Sequence, residues 1–176
     1  MPSLSIVTVV GNPKARSRTS GAATTLAASV AAHLTSAGAT TDSVVHELPD
    51  LGAGLLGWGD EAVAAVVDSV RRADVLVVAC PNYKGTYTGL LKLFLDQLPS
   101  NGLAGVVAVP LMVGAAAHQA LAVEVHLRPV LVELGASVPT RGLYVLEGEL
   151  ADLDAVLAAW WQDAAVPLTR ALGLPT

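Results

Sequence analysis

The segment LSIVTVVGNPKARSRTS, residues 4–20, sets the structural pattern of the whole chain. Its first half, Leu4–Val10, is a β-branched run, which predicts a strand. Residues 11–13, Gly-Asn-Pro, close that strand with a turn. Apolar residues at helical spacing then predict a helix over 20–37, which Gly38 ends. The segment therefore predicts a strand, a loop and a helix in direct succession.

The same alternation continues along the chain. The run VLVVA at 75–79 is apolar throughout, which is typical of a strand buried on both faces of a parallel sheet. Five strands alternating with five helices predict one α/β domain over residues 1–176, with a parallel sheet covered by helices on both faces. The further strands are predicted at 41–48, 75–79, 106–113 and 137–146, and the further helices at 60–72 (capped by Asp60), 88–98, 115–134 and 150–172, the last interrupted near Pro167.

Composition excludes several classes of function. The net charge is −5, from 10 Lys plus Arg against 15 Asp plus Glu, which argues against a nucleic-acid binder. The one cysteine and the four histidines show no metal-ligand spacing. No cation precedes the apolar N-terminal run, and no apolar stretch reaches the roughly 18 residues of a membrane span. We therefore expect a soluble, cytoplasmic protein.

In a parallel α/β sheet, ligands bind at the carboxyl ends of the strands, which points to the loops after Val10, Ala79 and Val113. The first of these loops, GNPKARSRTS, carries the cations Lys14, Arg16 and Arg18, and it ends in hydroxyl side chains at a helix N-terminus. Such a terminus attracts anions, so the loop predicts a phosphate site. It matches neither GxGxxG nor GxxxxGK[ST], and a solvated, capped turn is the alternative.

The second loop, CPNYKGTYTGLLKLFLDQLP at 80–99, contains Tyr83 and Tyr87, two of only seven aromatic residues. Aromatic faces with a few fixed polar groups suit a planar ring ligand, and the alternative is that both tyrosines serve only to pack the loop. Cys80 reads as a small buried apolar residue.

The segments GNPKARSRTS and PNYKGTYTGLLKLFLDQLP, residues 11–20 and 81–99, resemble the NAD(P)H-dependent FMN reductase family. The resemblance is strongest to members that supply reduced flavin to two-component monooxygenases, such as the alkanesulfonate-linked reductases. LMVGAAAHQALAVEVHLRPVL, residues 111–131, is similar to the same members.

The resemblance implies a flavodoxin-like fold with strand order 2-1-3-4-5. It also implies FMN bound in the three loops, and NADPH or NADH as the donor of a hydride to flavin N5. Since the flavin carries this chemistry, we expect no catalytic side chain. A flavin-dependent monooxygenase is the implied partner.

Residue by residue, the resemblance places the FMN phosphate at the first loop, the isoalloxazine at the second, and backbone contacts at the third. The binding residues that we expect are Lys14, Ser17, Arg18, Thr19, Ser20, Pro81, Asn82, Tyr83, Lys84, Tyr87, Gly114, Ala115, Ala116 and His118. For His118, at the mouth of the third loop, a helix-capping role is favoured over a contact with the flavin or with the NADPH phosphate. The chain departs from the family at Asn12 and Lys14, where Ser and Arg are frequent, and in VGAAAH, which lacks a glycine pair.

Two other functions fit the same pattern. One is a quinone, azo or chromate reductase with tightly held FMN, and the other is a non-catalytic flavodoxin-type electron carrier. A flavin-free anion-binding domain is a third, weaker alternative.

The predicted helix 115–134 is apolar on nearly every face, which suggests burial in a homodimer or homotetramer. Val123, Leu127 and Val130 form one apolar face, which we expect at the subunit interface. Pro129 is expected to unwind the helix locally. The resemblance adds a π-bulge at Val125 or His126.

Overall fold

The computed structural model describes residues 1–175. The strands are β1 (Ser3–Val10), β2 (Thr40–Glu47), β3 (Val75–Pro81), β4 (Val107–Gly114) and β5 (Leu143–Leu146). The α-helices are α1 (Arg18–Ser36), α2 (Glu61–Arg71), α3 (Gly89–Leu95), α4 (Arg128–Glu133) and α5 (Leu153–Ala171). Within these residues, no helix is long and apolar enough to cross a membrane.

All strand pairs are parallel, and the strand order is β2-β1-β3-β4-β5. Both the α/β class and the 2-1-3-4-5 order are confirmed. Every residue of β3 and β4 is buried, because helices cover both faces of the sheet. One core cluster packs α2, α3 and the segment around residue 127 on one face, and the second packs α1 and α5 on the other.

Short polar side chains begin the helices next to the carboxyl edge of the sheet. The side chain of Ser17 accepts a hydrogen bond from the backbone N–H of Ser20 and so caps α1. Thr88 caps α3 in the same way, and Asp60 caps α2 as its sequence position predicts. Two of the predicted site loops therefore end at capped helices.

The fifth strand is shorter than predicted. Ser137 forms only an isolated bridge to Val107, and the ladder begins at Leu143. The reason lies in a side chain, because the guanidinium of Arg128 donates to the carbonyls of Val138 and Thr140. Those carbonyls are thus satisfied without a strand partner.

The terminal helix differs from its prediction at both points. A 3₁₀ segment, Glu147–Asp152, precedes α5, and α5 then runs unbroken through Pro167. Proline removes one backbone donor, but Ala164 and Leu168 on either side are buried in the core and keep the helix in place.

The predicted helix 115–134 is divided into three pieces. These are a 3₁₀ turn at Ala117–Gln119, a π-helical turn at Val123–Leu127, and α4. The π-turn was expected, and it ends where Pro129 enters the chain as the second residue of α4. The wider π-turn therefore lies directly before the residue, Pro129, that lacks a backbone N–H donor.

The assignment of Val123 and Leu127 to a subunit interface was wrong. Their side chains are 1% and 0% exposed within a single chain, where they belong to the core above β4. The outward large apolar residues of this segment are instead Leu121, Val125 and Val132, which are 67%, 56% and 54% exposed. The all-round apolar pattern therefore combines one face that serves the core and one that faces outward.

Cys80 is fully buried in β3, and burial raises the pKa of its thiol to about 12. The thiol is therefore neutral at physiological pH, which agrees with its interpretation as a small apolar residue.

Candidate functional site

The loops after β1 and β3 meet the end of β4 in a cleft of about 300 Å³ at the carboxyl edge of the sheet. Six of the expected binding residues line it, together with two others from the first loop, one from the end of β4, and Glu147. The lining residues are Asn12, Lys14, Arg16, Ser17, Arg18, Thr19, Pro81, Tyr83, Val113 and Glu147.

The side chain of Asn12 holds the first loop in shape. Its oxygen accepts from the backbone N–H of Lys14 at 2.9 Å, and its amide donates to Thr19 Oγ1 at 3.1 Å. The buried Asn12 thus folds the loop over the start of α1, although it stands where the family resemblance led us to expect Ser. The three loop cations are exposed, and the first turn of α1 contains no acidic residue. Helix dipole and side-chain charge both favour an anion here.

Two carboxylates at the edge of the phosphate loop were missed from sequence. Glu47, the last residue of β2, accepts from Ser20 Oγ and, at 3.3 Å, from the backbone N–H of Arg16. Glu147, just after β5, lies 2.9 Å from the guanidinium of Arg18. Glu47 pairs in register with Val10, so the predicted strand order would have placed it beside the loop. No sequence signal marked Glu147.

The second loop is tied directly to the first. Thr88 Oγ1 donates to the carbonyl of Gly11 at 2.5 Å while it caps α3. A Cβ on Gly11 would lie 2.6 Å from the Cβ of Leu91, so glycine allows α3 to approach this closely. The tip of the loop is a tight turn in which Tyr83 and Thr86 exchange backbone hydrogen bonds. The ring of Tyr83 stands about half exposed at the cleft.

Tyr144 in β5 connects the second loop to the third, and sequence reasoning missed it. Its hydroxyl donates to the carbonyl of Ala116 at 3.1 Å and accepts from the side-chain amide of Asn82 at 3.3 Å. The Asn82 amide also donates to Gln119, and its backbone N–H donates to Val113. Asn82 Oδ1 is buried and has no hydrogen-bond partner within residues 1–175. Buried acceptors without a partner are uncommon, and this one lies next to Pro81 and Tyr83, which line the cleft.

The remaining expected residues lie around this cleft rather than along its walls. Ser20 and Gly114 are buried, Tyr87 is half-buried, and Lys84 is exposed in the left-handed region with φ 55°. Ala115 and His118 are exposed, Ala116 is half-buried, and the 3₁₀ turn that contains His118 has no side-chain cap. The structure therefore brings together the first and second loops, with the third loop at their margin.

A cationic helix N-terminus beside an aromatic loop suits a ligand that carries a phosphate at one end and a planar ring at the other. FMN is such a molecule, and the residues present fit it. Lys14, Arg16 and Arg18 match the phosphate charge, and the unpaired Asn82 oxygen matches the N–H of a ring edge.

Comparison with known proteins points the same way. The family model described as NADPH-dependent FMN reductase matches residues 4–150. An FMN reductase (NADPH) from Escherichia coli (strain K12) is 34% identical over 115 residues, covering 57% of this chain and 60% of that protein. NADH-dependent FMN reductase SfnE from Pseudomonas putida is 30% identical, covering 94% of this chain and 92% of that protein.

Among solved structures, the apo form of NADH:FMN oxidoreductase EMOB superposes with a TM-score of 0.79 at 30% identity, covering 98% of this chain and 91% of that one. A flavodoxin from Streptococcus pneumoniae TIGR4, at 21% identity and a TM-score of 0.53, shares the fold and covers 88% of this chain and 98% of its own. The chain spans 60%, 42% and 48% of the length of the first three curated relatives that it matches.

The close fit between Gly114 and Tyr144 gives a prediction. A Cβ at Gly114 would lie 1.9 Å from the Tyr144 hydroxyl oxygen and 2.6 Å from the ring carbon that bears it. Gly114→Ala must therefore displace the ring and break its bond to Ala116, and we expect a loss of about 1–3 kcal/mol in the free energy of unfolding by urea.

Gly21→Ala in α1 is the matched control, since nothing lies within 4 Å of the added methyl. It should leave the protein as stable or more stable by about 0.5–1 kcal/mol. Equal stabilities of the two variants would show that Tyr144 does not depend on glycine at position 114.

Proposed function

Because the chain belongs to the NADPH-dependent FMN reductase family, we propose that it is an enzyme that reduces FMN with NADPH or NADH. The observation that carries the proposal is the cleft itself, where a cationic phosphate loop meets an exposed tyrosine at the carboxyl edge of the sheet. That the enzyme acts in the cytoplasm stays a prediction from sequence.

The first loop would hold the FMN phosphate. Ser17 and Thr19 line the cleft beside the start of α1, and Lys14 and Arg18 supply positive charge. Cations and helix N–H groups act on the same phosphate oxygens, so their contributions reinforce each other.

The second and third loops would hold the isoalloxazine. Pro81 forms part of the cleft wall, Tyr83 offers an aromatic face, and Asn82 Oδ1 offers an acceptor. Tyr144 fixes the Asn82 amide by accepting one of its protons, which leaves the oxygen free for the ligand. Once bound, FMN supplies the hydride-accepting atom, and the protein's part is to position the ring and leave one face open to the nicotinamide.

We further propose that FMN is a substrate that leaves after reduction and serves a flavin-dependent monooxygenase. Three of the residues that line the cleft, Lys14, Arg18 and Tyr83, are exposed. A ligand held by exposed groups exchanges more readily than an enclosed one does.

The first prediction concerns turnover. Purified protein should oxidise NADPH slowly alone and rapidly when FMN is added, and gel filtration should leave well under one flavin per chain. The measurement is NADPH absorbance with and without added flavin. Rapid reduction of a quinone by protein that purifies yellow, with no response to added FMN, would instead indicate a quinone reductase with tightly held FMN.

The second prediction concerns the phosphate end. Arg18→Ala removes a charge-assisted contact and should weaken FMN binding by about tenfold or more, measured by quenching of flavin fluorescence. Riboflavin has no phosphate, so its dissociation constant should not change. An equal loss of affinity for both flavins would show that Arg18 does not contact the phosphate.

The third prediction concerns assembly. We propose that the protein forms a homodimer or homotetramer through the exposed apolar residues Leu121 and Val125. Val125→Asp should then sediment as a folded monomer. Val123→Asp, whose side chain is buried in the core, should lose its fold, as followed by circular dichroism. A wild-type protein that is monomeric at micromolar concentration, or an oligomeric Val125→Asp variant, contradicts the proposal.

A further inference from the structure

Of the three cations in the phosphate loop, one is already held by a carboxylate. Arg18 Nη2 lies 2.9 Å from Glu147 Oε2. Within residues 1–175, the side chains of Lys14 and Arg16 form no ion pair. Arg18 and Glu147 both line the same cleft, so the pairing occurs inside the candidate site.

Arg18 lies where both its own charge and the helix N-terminus attract a phosphate. It is the first residue of α1, directly after the cap Ser17, where the helix dipole also attracts anions. Its side chain is 68% exposed, so it is free to reach a ligand.

Glu147 comes from a different part of the fold. It opens the 3₁₀ segment after β5, its side chain is 45% exposed, and Arg18 is its one side-chain partner within the described residues. Glu47, at the opposite edge, instead accepts from a loop backbone N–H and from Ser20, and so helps to hold the loop itself. Within residues 1–175, the side chain of Glu147 makes no hydrogen bond to the backbone of the first loop.

We propose that Glu147 sets the affinity of the site for phosphate-bearing flavins by competing with the phosphate for the guanidinium of Arg18. The proposal rests on the proposed function, because it takes the phosphate of FMN as the ligand of the first loop. A carboxylate and a phosphate both bind the N–H groups at the edge of a guanidinium, so the phosphate must either displace Glu147 or lie beside its negative charge. Both outcomes weaken FMN binding relative to a site that lacks this carboxylate.

The competition acts only on ligands that carry the phosphate. Riboflavin places no charge near Arg18, so Glu147 does not affect it. Glu147 thus narrows the difference in affinity between FMN and riboflavin and keeps FMN exchangeable. Exposed ion pairs are weak, so the effect amounts to about two- to fivefold.

The test is Glu147→Gln, which removes the charge and keeps the size of the side chain. FMN should bind about two- to fivefold more tightly by fluorescence quenching, with riboflavin unchanged. The KM for FMN should fall in steady-state assays. In an Arg18→Ala background the same substitution should tighten FMN binding less than it does in the wild type, because the two anions no longer share a partner.

Glu149→Gln is the matched control. It makes the same charge change two residues away, where the Glu149 side chain accepts from the backbone N–H of Leu146 rather than touching Arg18. It should leave FMN affinity at the wild-type value.

The outcomes separate the two proposals. Wild-type protein that binds no FMN and shows no FMN-dependent NADPH oxidation would overturn the proposed function. If wild type binds FMN but Glu147→Gln binds it equally well, Glu147 does not compete for Arg18; if the variant binds it more weakly, Glu147 orients Arg18, and in both cases this inference alone is wrong. Equal tightening by Glu149→Gln would reduce the effect to general charge and would also contradict it.

Discussion

Burial of β3 and β4 on both faces is the constraint on which the rest of the structure depends. Every residue of these strands is buried, so helices must cover the sheet above and below. A parallel strand can be followed by its parallel neighbour only through a crossover, which sends every strand–helix loop to the same edge. Polar and charged groups are thereby concentrated at the carboxyl ends of β1, β3 and β4, where the cleft lies.

Local patterns were sufficient where a residue acts on its own neighbourhood. The VLVVA run, the cap at Asp60 and the cationic first loop are each decided within a few residues, and all could be predicted. Local patterns failed where a side chain from outside the segment determines its structure. β5 is short because Arg128 donates hydrogen bonds to the carbonyls of Val138 and Thr140. No pattern within residues 137–142 indicates that these carbonyls bond to a side chain ten and twelve residues earlier in the chain.

The segment that follows β4 shows a different limit. Its apolar residues were correctly recognised, but a helix that is apolar all round does not say which face is inward. The π-turn shifts the phase of the side chains, and Val123 and Leu127 end in the core while Leu121 and Val125 point outward. Hydrophobicity predicted burial, whereas the direction of burial depends on the backbone period, which changes inside the segment.

The residues of the candidate site also divide into those that the sequence identified and those that it did not. The central strands supply the groups that sequence could identify, in the loops that begin at Gly11 and Asn82. The outer strands supply those that it could not, namely Glu47 from β2 and Tyr144 and Glu147 from β5 and its end. Each of the three side chains contacts a donor or acceptor in or next to the central loops. The outer strands therefore support a cleft that the central strands form. Glu47 accepts from the backbone N–H of Arg16 and Glu147 pairs with Arg18, so each edge of the sheet contributes one carboxylate to the margin of the cationic loop.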